Sequence, residues 1–369
     1  MEKGLFQKIA MICRHSMIVL FTVMIIVAEM TVLSCKTTAY AADSPAAAVV
    51  RNMGPGWNLG NSLDAMNFGY GYTANTETKW GNPVVTKSLI DGVRAAGFRS
   101  IRIPVSWYNH LDANGNIDPA WLQRVGEAVR YALDDGMYVI INVHHDAGND
   151  RNYSWIYSDT DSYEVDRSNL MNLWSQIASY FRDYDDRLLF EPVNEIMNKE
   201  HNWNWGTAYA DFRVTHDLEQ EFINVVRSSG ENNATRYLVL PTWGASADSC
   251  QIQQLFYKGF TDSASGRLIM SVHNYSTNTA AIDGIVARLA SSSATYGIPV
   301  VIDESGSGRG TSEDIRVAAA AEWANRAHEN GMAYFWWDNG SEYRIINRTT
   351  GAVESDSIVA ALTSAYGLQ

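Results

Sequence analysis

The sequence predicts an α/β fold, a (β/α)8 TIM barrel forming a single catalytic domain, and three observations predict it. Strand-like and helix-like runs alternate eight times. No linker or low-complexity tract interrupts them. The residues at the C-terminal strand ends are polar or aromatic in repeat after repeat, as expected if all eight open into one cleft. A doubly wound open sheet is the competing fold. It would carry a Gly-rich phosphate loop after its first strand, and Trp57-Asn58-Leu59-Gly60-Asn61-Ser62 is not one.

The strands are expected over residues 56–60, 100–105, 138–143, 188–193, 237–240, 268–272, 300–302 and 333–336. Each is a short apolar run bounded by turn residues, the pattern of a strand buried on both faces. Asp118-Pro119 supplies an N-cap and a proline at the first helical position ahead of Trp121, Leu122, Val125, Ala128 and Val129. Thr311 to Asp314 reads as a capping box before an alanine-rich helix that ends near Gly331. Gly97, Gly136, Gly230 and Gly297 read as stops just ahead of strands.

Residues 1–42 read as an export signal, leaving 43–369 as the catalytic domain. Lys3, Lys8 and Arg14 precede an apolar run from Met17 to Val27, and Ala39-Tyr40-Ala41 offers a small-residue cleavage site. A retained membrane anchor is the competing reading, because the segment is long. Cys13 and Cys35 fall inside it, so the exported chain keeps only Cys250, read as structural, and has no internal disulfide.

Composition narrows the function. With 46% hydrophobic and 19% charged residues the chain has an ordinary globular core. A net charge of −13 argues against nucleic acid and anionic membranes as partners. Twelve tryptophans and 19 tyrosines suit the C–H faces of sugar rings, although most will be packed in the core.

The strand ends carry the chemistry. In order they give Asn58 and Asn61; Arg102 and Trp107; His144-His145-Asp146; Asn194-Glu195; Trp243; His273-Asn274-Tyr275; Asp303-Glu304; and Trp336-Trp337-Asp338. Glu195 and Glu304 end the fourth and seventh runs, which lie nearly opposite in a barrel. Paired carboxylates across a cleft suit hydrolysis of a glycosidic bond. A metal hydrolase is one rival, because His144, His145 and Asp146 adjoin. Neighbouring residues on a strand face opposite ways, so His144 and His145 are not expected to share an ion. The other rival is a non-catalytic sugar-binding barrel, against which the carboxylate pair argues.

Four motifs give the chain a family likeness. Gly56-Trp57-Asn58-Leu59-Gly60-Asn61-Ser62-Leu63-Asp64, Gly97-Phe98-Arg99-Ser100-Ile101-Arg102-Ile103-Pro104-Val105-Ser106-Trp107, Ile141-Asn142-Val143-His144-His145-Asp146 and Phe190-Glu191-Pro192-Val193-Asn194-Glu195 resemble the first four strands of glycoside hydrolase family 5. The resemblance implies a secreted retaining endo-β-1,4-glucanase that uses no cofactor or metal and acts as a monomer on a polysaccharide. Mannan, xyloglucan, mixed-linkage glucan and xylan are alternative substrates, and soluble or amorphous chains are expected rather than crystalline fibre.

By the same resemblance Glu195 is the acid/base and Glu304 the nucleophile. Asn194 would bond the sugar 2-hydroxyl, and Arg102 would lie beside the nucleophile and favour its ionised form. His144, His273 and Tyr275 would orient substrate and carboxylates, and Trp337 would form an aromatic floor. The chain departs from the pattern at Asp303 and Ser305, where the family has Gly and an aromatic, and at Ile196, where it has Pro. Strand alternation is expected to turn Asp303 away from the cleft. Asp64 is read as a turn residue near the cleft, Glu191 as a buried partner of Arg102 or His144, and Trp243 as a ligand contact. Trp203 and Trp205 are read either as an outer sugar platform or as rim packing.

Overall fold

The structure is a computed structural model, described here for residues 43–67, 73, 75–148, 152–201 and 209–367. The export-signal reading and Trp203 and Trp205 lie outside the described residues. Among the described residues no helix is long and apolar enough to cross a membrane.

All eight expected strands are present: β1 (Pro55–Leu59), β2 (Ser100–Ile103), β3 (Tyr138–Asn142), β4 (Leu188–Glu191), β5 (Leu238–Ser246), β6 (Leu268–His273), β7 (Val300–Ser305) and β8 (Ala333–Asp338). They pair in parallel in sequence order, and β1 closes on β8. Helices α2 (Lys87–Ala95), α3 (Pro119–Asp134), α4 (Tyr163–Phe181), α5 (Tyr209–Ser228), α6 (Ser249–Leu255), α7 (Thr279–Tyr296) and α8 (Glu313–Glu329) follow the first seven strands in turn, and α9 (Asp356–Ser364) follows β8. Asp118 caps α3 as expected, accepting from the Ala120 N–H with Pro119 in the first turn. Gly297 stops α7 in the left-handed conformation, with its N–H on the Ser293 carbonyl. The expected capping box before α8 does not form. The N-cap is Ser312, whose side chain makes no capping bond.

Alternation along the strands builds two separate cores. Outward residues such as Ile101, Val139, Ile141, Phe190, Leu240 and Val272 pack against the helices. Inward residues Ile140, Leu189, Val239, Ile269, Val301 and Phe335 fill the lower barrel. That lower core is sealed by α1 (Pro45–Met53), a helix not anticipated from the sequence, through Ala46, Val49, Val50 and Met53. Gly56 makes room for this packing, since a Cβ there would sit 2.3 Å from the Phe335 ring. One layer higher, at the C-terminal strand ends, the inward positions turn polar: Asn58, Arg102, Asn142, Glu191, Ser271 and Asp303, all fully buried. An apolar plug thus supports a polar floor.

Candidate active site

Arg102 organises that floor. Its Nε and Nη2 donate to Glu191 Oε2 and Oε1 at 2.8 and 2.7 Å, a bidentate pair between two fully buried side chains. Nη1 donates to Asn58 Oδ1 at 3.1 Å and to Glu304 Oε2 at 3.0 Å, and Nη2 also reaches Asn194 Oδ1 at 2.7 Å. Burial disfavours the guanidinium charge, but Glu191, Asp303 and Glu304 outweigh it and hold its pKa above the usual arginine value. Glu191 is therefore the buried partner of Arg102 that the sequence led us to expect. It also reaches His144 indirectly. Asn142 Nδ2 lies 3.3 Å from Glu191 Oε1 and 3.1 Å from His144 Nδ1. Because the amide donates, His144 Nδ1 accepts and the ring proton sits on Nε2.

Above this floor sit the two glutamates. Glu304 accepts from Arg102 on one oxygen and from the Tyr275 hydroxyl, at 2.6 Å, on the other, which fixes the plane of its carboxylate. Glu195 lies 2.9 Å from His273 Nδ1 through Oε1, and the same nitrogen is 3.8 Å from Glu304 Oε2. An oxygen of each glutamate and a ring nitrogen of His273 all lie within 4.8 Å of one another. Burial pushes the Glu195 carboxyl up to about 7, opposed by the charges of Arg102 and His145. Burial also lowers His273 to about 4, so the ring is neutral at pH 7. The two carboxyls thus sit close together in unlike surroundings. A cavity of about 210 Å³ opens beside Glu195, lined by Gly244, Ser246, Asp248, His273, Asn274 and Tyr275.

The seventh strand corrects one expectation. Asp303 does not turn away from the cleft. Val272 pairs with Ile302 but His273 pairs with Glu304, and against β8 Ile302 pairs with Tyr334 but Ser305 with Trp336. One extra residue is therefore accommodated at Asp303, a bulge that breaks the two-residue alternation. Asp303 and Glu304 both face inward. Asp303 accepts from Ser271 Oγ at 2.6 Å and lies 3.8 Å from Arg102 Nε. Ser305 then faces outward, where its Oγ accepts from the Tyr334 hydroxyl.

Two further expectations change. Trp243 is buried among Met197 and Phe212 and donates its Nε1–H to Ser158 Oγ, so it is core packing rather than a ligand contact. His144 and His145 are not on a strand. β3 ends at Asn142, a single helical turn begins at His145, and their rings lie 4.6 Å apart. Together with Asp64 they bring one potential ligand atom each within 4.8 Å of the others. Asp64 is the expected turn residue, with its carboxylate accepting from the Asn61 and Ser62 N–H groups. Trp337 stacks parallel to His144 at 5.8 Å between ring centroids. It lies over Gly60, where a Cβ would come 2.6 Å from its ring.

The profile of the Cellulase (glycosyl hydrolase family 5) family matches residues 63–343, most of the barrel. The chain belongs to glycoside hydrolase family 5. Cellulase/esterase CelE of Acetivibrio thermocellus is 35% identical across 89% of the chain, which spans 41% of that protein. Endoglucanase A of Clostridium longisporum is 33% identical across 83% of the chain, which spans 63% of it. The chain thus covers less than two thirds of either relative. Among solved structures, the family 5 enzyme PbGH5A of Prevotella bryantii B14, in complex with a xyloglucan tetradecasaccharide, aligns with a TM-score of 0.80 and 32% identity. That alignment covers 88% of this chain and 99% of the other. Membership makes this chain a glycoside hydrolase family 5 barrel.

The eight site residues expected from the family 5 resemblance (Arg102, His144, Asn194, Glu195, His273, Tyr275, Glu304 and Trp337) all gather at the C-terminal mouth of the barrel. Asn58 had been expected among the strand-end residues, whereas Asn142 and Ser271 were not anticipated as parts of this site. Asn142 was findable, because it stands two residues before His144 and shares its side of the chain. Trp80 and Tyr153, whose rings lie 5.0 and 6.2 Å from His145, came from loops that carry no strand-end signal.

Proposed function

We propose that this protein is an exported, monomeric endo-β-1,4-glucanase that cleaves internal bonds with retention of anomeric configuration. Glu304 attacks the anomeric carbon, and Glu195 protonates the departing oxygen and later activates the water. The observation that carries the reading is the separation of the pair. Oxygens within 4.8 Å suit the roughly 5–5.5 Å carboxyl spacing of retaining enzymes. An inverting enzyme needs about 6.5–9.5 Å to admit a water between carboxyl and substrate.

The surroundings support the division of labour. Glu195, raised by burial to about 7, holds a proton to give at neutral pH. Glu304 is aimed by Arg102 and Tyr275. Asn194 spends its carbonyl oxygen on Arg102, which leaves its amide hydrogens for a sugar hydroxyl. Trp337 and the His144 Nε2–H complete the sugar site. Export rests on the N-terminal charge and apolar pattern. N-terminal sequencing of protein recovered from the medium tests it, with a new terminus near Asp43 expected.

Glu195→Gln and Glu304→Gln are each expected to lower turnover by at least ~10²-fold while polysaccharide binding persists. Normal hydrolysis by both variants would remove the assignment. Xyloglucan is the second reading for the substrate, because a mutant of the PbGH5A neighbour was solved with a xyloglucan tetradecasaccharide. A panel of cellulose derivatives, mixed-linkage glucan, xyloglucan, mannan and xylan, compared by kcat/KM, separates the two.

A further inference from the structure

We infer that Asp303 is a positioning residue for the acid/base Glu195, acting through the imidazole of His273. The inference rests on the reading of Glu195 as acid/base. It concerns a residue at which this chain departs from the family pattern, which has Gly before the nucleophile.

The geometry comes from the β7 bulge. His273 bridges two carboxyl groups: Nδ1 is 2.9 Å from Glu195 Oε1, and Nε2 is 3.5 Å from Asp303 Oδ1. Nε2 has no hydrogen-bond partner among the described residues, and neither has Asp303 Oδ2. Ser271 Oγ holds Oδ1 in place from the far side at 2.6 Å. Asp303 is fully buried. The charged groups that face it are Arg102 from β2, Glu191 from the end of β4 and His273 from β6, with Glu304 next to it on β7. Burial and the Glu191 charge push its carboxyl above the usual range, and Arg102 pulls it back.

A neutral imidazole carries one proton, so the state of one ring nitrogen dictates the other. With Asp303 ionised the ring proton sits on Nε2, and Nδ1 accepts the Glu195 O–H. With Asp303 protonated its O–H faces Nε2, and Nδ1–H donates to the Glu195 carboxylate. Interconversion breaks the Asp303 O–H bond as Nε2–H forms and breaks Nδ1–H as the Glu195 O–H forms. One proton passes from Asp303 to Glu195, one negative charge passes the other way, and nothing else is consumed. Two carboxyls sharing a proton titrate as a pair, and the pair lets go of its last proton at higher pH than Glu195 alone would.

The test is the alkaline limb of kcat/KM in Asp303→Asn and Asp303→Ala, measured with an unactivated cello-oligosaccharide. A dinitrophenyl cellobioside, whose leaving group needs no proton, serves as the comparison. The limb is expected to move about one pH unit lower with the oligosaccharide. With the dinitrophenyl substrate no limb from Glu195 is expected, so that substrate reports folding and binding. A limb that stays in place while both rates fall together overturns the inference, as does failure of both variants to fold, which would make Asp303 a structural anchor of β7. Glu195→Ala separates the two claims. If it still cleaves the oligosaccharide, the acid/base assignment fails. If it is impaired as expected and the Asp303 limb does not move, only this inference fails.

Discussion

Arg102 and Glu191 meet through two parallel hydrogen bonds of 2.8 and 2.7 Å, with neither side chain reaching solvent. The pair fixes the guanidinium plane, and from that plane Nη1 reaches Glu304 and Nη2 reaches Asn194. Its role is aim rather than net stability, since a buried ion pair repays little beyond its own desolvation. Glu191→Gln leaves one amide N–H facing the guanidinium. The expected outcome is a stability loss of about 3–5 kcal/mol by denaturant unfolding, together with a fall in kcat of ~10²-fold or more. An unchanged kcat would show that Arg102 keeps its aim without Glu191.

The pH dependence follows from Glu195. As an acid it must carry its proton, so kcat/KM should fall as pH rises through about 7. Profiles on an unactivated oligosaccharide should show this limb in the native enzyme. A flat profile from pH 6 to pH 9 contradicts the assignment.

Two tryptophans at strand ends should behave differently. Trp337→Ala removes the ring stacked against His144 and is expected to raise KM and lower kcat, with a loss of stability as well because the ring is largely buried. Trp243→Phe keeps an apolar ring in its buried cluster but loses the bond to Ser158 Oγ. It is expected to cost about 1 kcal/mol of stability with KM unmoved. Isothermal binding and unfolding curves on both variants distinguish them, and the reverse pattern would restore Trp243 to the cleft.

Glu219 offers a stability test away from the chemistry. It is buried on α5, and neither of its oxygens has a hydrogen-bond partner among the described residues. Burial and the Glu191 charge hold its pKa well above the ordinary 4.5. A carboxyl raised in the folded state contributes stability that is full below the unfolded pKa. That stability is lost as pH climbs from there through the folded pKa. Glu219→Gln should therefore raise Tm at pH 8 by about 2 °C and change it less at pH 5. Equal shifts at both pH values would mean the acid is not neutral in the fold.

The barrel was readable because each strand is an apolar run with a polar end, and apolar period is what sequence displays most directly. The strand ends Asn194-Glu195 and His273-Asn274-Tyr275 fell where that period placed them. Asp303 did not, since a bulge is a property of register between strands and leaves no trace in the spacing of β7 itself. His145 was misplaced for a related reason: β3 stops at Asn142, and alternation was carried past its end. Trp243 looked like a platform because a tryptophan at a strand end can serve the cleft or the core. Only the packing of Met197 and Phe212 decides between them. Helix α1 was missed because its short Ala-Val run carries no sign that it seals the barrel floor.

In the proposed mechanism Glu195 and Glu304 act as a double-displacement pair. Proton NMR of the first products released from a β-1,4-glucan oligosaccharide tests it most directly. With retention, the β-anomer forms first and the α-anomer appears only by later mutarotation. Initial release of the α-anomer would contradict it.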